Sequence, residues 1–119
     1  MAYVDGFVIP VPIKKLAEYR RMAQLGKKIW LKYGALDYKE CVGDDLKQMG
    51  ALFPKMAKVK PGETVVFSFI VYKSRAHRDK INAKVMKDPA MSPEQFKNKT
   101  MPFDMKRMAF GGFKVIVSK

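Results

Sequence analysis

Residues 64–73 read "TVVFSFIVYK". In an extended chain successive side chains alternate between two faces. Val65, Phe67, Phe69 and Val71 then point one way; Val66, Ile70 and Tyr72 point the other, with Ser68 between them. Apolar residues on both sides predict a central strand covered twice. A chain of 119 residues has little material for two covers.

The flanking segments supply one cover. Ser74 stands at an N-cap position, and "RAHRDKINAKVMKD" continues as a helix to Asp88, ahead of Pro89. Upstream, residues 45–63 hold two glycines, two prolines and no clear period, and read as a long connection with a short helical turn near Leu46 to Met49. "ALDYKECVGD" (35–44) alternates as a strand, with Leu36, Tyr38 and Val42 on one face. Residues 13–33 form a helix stopped by Gly34; Leu16, Tyr19, Ala23, Gly26, Trp30 and Tyr33 make its apolar stripe, opposite Lys14, Arg21, Lys28 and Lys32. "AYVDGFVIPV" (2–11) is a first strand ended by Pro10 and Pro12. Residues 89–104 are irregular, with a helical turn in "SPEQF" behind Ser92, and "KRMAFGGFKVIVS" (106–118) is a last strand.

Strand, helix, strand, strand, helix, strand is the order of a ferredoxin-like α+β sandwich with a four-stranded antiparallel sheet, here a single domain over residues 1–119. Two helices cover one face of such a sheet. The other face, apolar in both "TVVFSFIVYK" and "AFGGFKVIV", asks for a lid. A second copy packed sheet against sheet is the simplest one, so a homodimer closed into an α/β barrel is expected.

Composition narrows the function classes. Apolar residues at 48% and charged residues at 29% are globular values. No apolar run reaches the roughly 18 residues of a membrane span, so no membrane partner is expected. The N-terminus carries an acid, Asp5, where a signal peptide carries basic residues, which points to the cytoplasm. A lone cysteine, Cys41, and a lone histidine, His77, exclude an internal disulfide and argue against a transition-metal site; no metal and no cofactor are expected. The balance of 24 Lys+Arg against 11 Asp+Glu gives +13, concentrated in the two helical segments. A solvated lysine-rich surface explains this charge; contact with a polyanion is the alternative.

No Ser-His-Asp set, P-loop or metal box stands in the chain. The candidate pocket or polar-cluster residues are Asp5, Ser68, Tyr72, His77, Asp104 and Arg107. Asp5 lies inside the first strand, where a charge needs a partner, with Lys106 or Arg107 as expected neighbours near a strand end. In "PFDMKRM", Arg107 is read either as a grip for an anion oriented by Asp104 or as half of a salt bridge that pins a loop. His77 falls on the buried stripe of Ile81 and Val85, and a packed histidine is the simpler reading. Cys41 reads as a buried, inert thiol. Gly111-Gly112 marks a bulge, or room for a ligand or a neighbouring backbone to approach. Tyr72, Ser68 and Glu40 are expected to line the interior.

"YVDGFVIPVP", "ALDYKECVGDD", "ETVVFSFIVY", "KVMKDP" and above all "MPFDMKRMAFGGF" resemble a family of short bacterial proteins of unknown function in the dimeric α/β-barrel superfamily. The resemblance spans nearly the whole chain. It implies ferredoxin-like protomers paired through their sheets, in a superfamily with cofactor-free monooxygenases and small-molecule-binding or haem-handling proteins. It brings no assigned reaction and no catalytic residues.

Two functional classes follow. The first is a homodimer that binds or transforms a small apolar or aromatic molecule in a pocket between sheet and helices. The alternative is an RNA-binding module, since RNA-recognition domains share this strand order and use an aromatic third strand to stack bases. Glu63-Thr64 stands where their Lys/Arg-Gly would be, and the cations lie on the helices rather than on the sheet face.

Overall fold

The computed structural model describes residues 2–47, 50, 52–96 and 100–119. In chain order these form β1 (Tyr3–Pro12), α1 (Leu16–Lys32), β2 (Asp37–Val42), α2 (Phe53–Met56), β3 (Glu63–Tyr72), α3 (Arg75–Lys87), α4 (Pro93–Phe96) and β4 (Ala109–Lys114). The strands make one antiparallel sheet in the order β2-β3-β1-β4, the ferredoxin-like arrangement that the element order predicts.

β3 sits at the centre because it can be buried on its helix-facing side along its whole length. Val66, Ser68, Ile70 and Tyr72 are all buried there. β1 adds Tyr3, Asp5, Ile9 and Val11 to the same layer. α1 covers them with Tyr19, Ala23 and Ile29, and α3 with Ile81 and Val85. Gly34 ends α1 at φ +112°, a conformation that only glycine adopts without strain. Its N–H donates to the Leu31 carbonyl and that of Ala35 to the Trp30 carbonyl, which closes the helix as a Schellman motif. Ser74 caps α3 by accepting from the His77 N–H at 3.1 Å.

The opposite face of the sheet is open for most of its area. Phe67 is 43% exposed and Phe113 61%. Val65, at 3%, and its fully buried partner Pro10 are exceptions. The connection after β2 folds over that end, where Leu46 and Phe53 line a hollow with Val65 and Phe67. The chain thus roofs one corner of its second face by itself.

Several local expectations need correction. Pro10 and Pro12 do not stop β1, which runs through to Pro12. β4 pairs only with Tyr3 to Val8, so beyond Val8 that side of β1 is a free edge, where a missing N–H is tolerated. β1 and β4 pair along all six residues of β4, not merely near an end. β4 itself is shorter than the apolar run suggests, with Lys106 and Arg107 in a 3₁₀ turn (Met105–Arg107) ahead of it. The helical turn expected near Leu46 to Met49 falls partly outside the described residues; Leu46 and Lys47 are not helical, and α2 begins at Phe53. Gly111-Gly112 is not a bulge. The register is continuous, and Tyr3 lies over Gly112 so closely that a methyl group there would overlap its ring.

Candidate functional site

Between α1 and the edge strand β2 the sheet and helix part to leave a cleft of about 510 Å³. Alternation along β2 puts Tyr38, Glu40 and Val42 on its helix-facing side, and helical spacing brings Tyr19 and Ala23 of α1 down onto them. Leu16, Ala23, Val42 and Val66 supply apolar wall. Arg20, Gln24 and Lys27, exposed and spaced by four and three residues, stand along the α1 side.

Glu40 is the polar centre. Its Oε1 accepts from the Tyr19 hydroxyl at 2.7 Å and its Oε2 from the Tyr38 hydroxyl at 2.8 Å. Such charge-assisted bonds are short and fix both phenols. Burial, reinforced by the Glu40 charge, pushes both phenol pKa values well above the usual tyrosine range, so both keep their protons. Gly26 makes room for this grouping, since a Cβ there would stand 2.9 Å from the Tyr38 hydroxyl. Trp30 packs against Tyr38, ring centroids 6.4 Å apart.

A second polar grouping lies under α3. Asp5 is buried and accepts from the Tyr72 hydroxyl at 3.1 Å and from Arg78 Nη1 at 3.2 Å. Arg78, with 18% of its side chain exposed, also lies over the Tyr3 ring, 5.0 Å from the centroid. The Asp79 carboxylate is 2.9 Å from Arg78 Nε, yet off the N–H direction, so the pair is ionic without a hydrogen bond. Burial, and then the Asp5 charge, raises the Tyr72 pKa. The partner of Asp5 is therefore Arg78, not Lys106 or Arg107; α3 crosses above β1 and its long side chain reaches down, whereas the 3₁₀ turn bearing Arg107 serves another acid.

That acid is Glu63. Arg107 donates from Nη1 and Nη2 to its two carboxylate oxygens at 2.7 and 2.8 Å, and from Nη2 to the Lys58 carbonyl at 2.8 Å. These bonds draw the Glu63 pKa down to about 2. Asp104 accepts from the Lys106 N–H at 3.0 Å and caps the turn that carries Arg107. The geometry matches a pinned loop, with Glu63 as the partner.

The remaining candidates are dispersed. Ser68 is buried at the middle of β3, opposite Phe7 and Glu40 in the neighbouring strands. His77 accepts at Nδ1 from the Lys73 N–H at 3.0 Å and sets its ring edge-on to Tyr72. Cys41 is exposed, not buried, because β2 is an edge strand and Cys41 points to the open face beside Phe67. Sequence reasoning placed Tyr19 and Tyr38 only as apolar-face residues and did not single out Arg78. The signal for the cleft was Tyr38-Lys39-Glu40, a phenol and a carboxylate on one face of an edge strand.

The fold and the cleft define a ferredoxin-like α+β protein with an open apolar sheet face and a phenol-flanked carboxylate between its first helix and edge strand. The chain belongs to the family described as Protein of unknown function (DUF1428), whose model matches residues 2–105. It is 42% identical over 120 residues to Uncharacterized protein YbaA of Escherichia coli (strain K12), across 100% of both chains. The same extent of identity relates it to Uncharacterized protein YbaA of Shigella flexneri. Among solved structures it is similar to a dimeric ferredoxin-like protein from an uncultured marine organism, with TM-score 0.60 and 12% identity over 100% of both chains. An uncharacterized NIPSNAP domain protein from Burkholderia xenovorans gives TM-score 0.55 and 16% identity over 95% of this chain and 93% of that one. At these identities the likeness shows the fold alone. The resemblance to an uncharacterised bacterial family of ferredoxin-like fold holds.

Proposed function

We propose that the protein is a cytoplasmic homodimer, paired through its open sheet faces, that binds or transforms a small apolar or aromatic molecule in the cleft between α1 and β2. The observation that carries the ligand reading is the cleft itself. Its volume suits a small molecule, its walls are mostly apolar, and one well-oriented polar group stands within it. Asp5 and Tyr72 support it from behind, since Tyr72 shares a core cluster with Trp30 and Tyr38. No helix among the described residues is long and apolar enough to cross a membrane.

Pairing is supported by Phe67 and Phe113, which lie exposed on the face with half-buried Val4, Val8, Phe69 and Val71. A specific interface takes about 800 Å² from each partner. That a similarly folded protein is dimeric agrees with this reading. The RNA-binding alternative competes for the same surface, because a face buried against a twin cannot stack bases.

The ligand reading is tested by recording amide and methyl NMR spectra of the intact protein against a library of aromatic fragments. Hits that shift the signals of Ala23, Val42 and Val66 are expected; a library that leaves all three unmoved sinks the reading. Light scattering at micromolar concentration tests the pairing, and a monomer that binds single-stranded RNA with steep salt dependence would favour the alternative.

A further inference from the structure

The hydrogen-bonding capacity of the cleft has a direction. Tyr19 and Tyr38 each spend their single hydroxyl proton on Glu40, so each phenol can offer a ligand only acceptor lone pairs. Each Glu40 oxygen accepts one of these protons and keeps a lone pair for a further donor. Three neighbouring groups therefore call for a donor. The exposed side of α1 adds donors, with Gln24 carrying both a donor and an acceptor. Arg20 and Lys27 have donors and no acceptor, and among the described residues neither forms an ion pair. Leu16, Ala23, Val42 and Val66 line the same cleft. The protein as a whole carries +13, a field that draws anions.

Resting on the small-molecule reading above, we infer that the cleft is built for an aromatic hydroxy acid: its carboxylate at Arg20 and Lys27, its ring against the apolar wall, and its hydroxyl donating to Glu40. An apolar molecule without a donor would strip water from the remaining lone pairs of Glu40 and the two phenols and replace it with nothing, which costs binding. A neutral ester would forgo the cations.

The test uses 4-hydroxyphenylacetate, phenylacetate, methyl 4-hydroxyphenylacetate and tyramine as probes, with affinities from titration of the Val42 and Val66 methyl signals in the full chain. The hydroxy acid is expected to bind at least tenfold tighter than each of the other three. A chain carrying Arg20→Glu and Lys27→Glu, both on the exposed side of α1, should lose the preference for acid over ester while keeping its affinity for the ester. Equal binding of acid and ester, equal binding with and without the ring hydroxyl, or tighter binding of tyramine overturns the inference. If neutral library fragments occupy the cleft and the hydroxy acid does not, this assignment falls and the small-molecule reading stands; if nothing occupies it, both fall.

Discussion

The carboxylate of Asp5 on β1 and the guanidinium of Arg78 on α3 lie 3.2 Å apart, joining residues 73 positions distant in the chain. Asp5 is buried, so removing its partner leaves its carboxylate, among the described residues, with the Tyr72 hydroxyl as its side-chain hydrogen bond. Arg78→Met is expected to cost about 2–4 kcal/mol, near the range for breaking a buried pair. Asp5→Asn with Arg78→Met should recover part of that loss in urea denaturation. Additive losses would show that the two side chains are not coupled.

Gly26→Ala should run against helix propensity. Alanine in a helix interior gains about 1 kcal/mol over glycine, but here the new methyl meets the Tyr38 hydroxyl. With Tyr38 held by Glu40 and Trp30, the expected result is no gain, or a loss of about 1 kcal/mol, because a charge-assisted hydrogen bond is disturbed. A variant stabilised by the full propensity difference would mean that Tyr38 moves aside freely.

Glu63 sets an acid dependence. Its folded pKa, held at about 2 by Arg107, lies below its ordinary value of 4.5. The sign follows: a lowered carboxyl pKa contributes stability above the unfolded value, and that contribution disappears as pH falls from about 4.5 to 2. Glu63→Gln should therefore be less stable than the parent near neutral pH by about 1–2 kcal/mol, discounted for solvent screening. The two melting curves should converge toward pH 2. A gap that persists at that pH would assign the effect to packing.

At the alkaline end, burial raises the pKa values of Tyr19, Tyr38 and Tyr72 above their ordinary 10.0. A phenol that holds its proton more tightly when folded adds stability below about pH 10 and loses it as pH rises beyond. Absorbance titration of the native protein should leave these three unionised through about pH 11, and their phenolate signal should appear together with unfolding. Early, reversible ionisation of all five tyrosines would contradict the buried arrangement.

Phe67 and Phe113 test the pairing. Both are exposed on the open face of a single chain. Phe67→Asp with Phe113→Asp should raise the dimer dissociation constant by at least about tenfold while leaving the monomer folded, since neither side chain belongs to the buried clusters. Light scattering reads the mass and circular dichroism the fold. An unchanged mass would place any association elsewhere.

Element order and periodicity were enough for the architecture. "TVVFSFIVYK" marks itself as a central strand because backbone alternation carries its pattern directly into space, and Gly34 and Ser74 mark helix ends through local geometry alone. What escaped were meetings between side-chain tips. Arg78 rather than Arg107 finds Asp5, Arg107 finds Glu63, and Tyr19 and Tyr38 converge on Glu40. A long side chain reaches several residues' worth of surface, so which charge finds which acid depends on how helices cross the sheet. Only the packed chain decides that, and with it where the cleft lies and which way its donors and acceptors face.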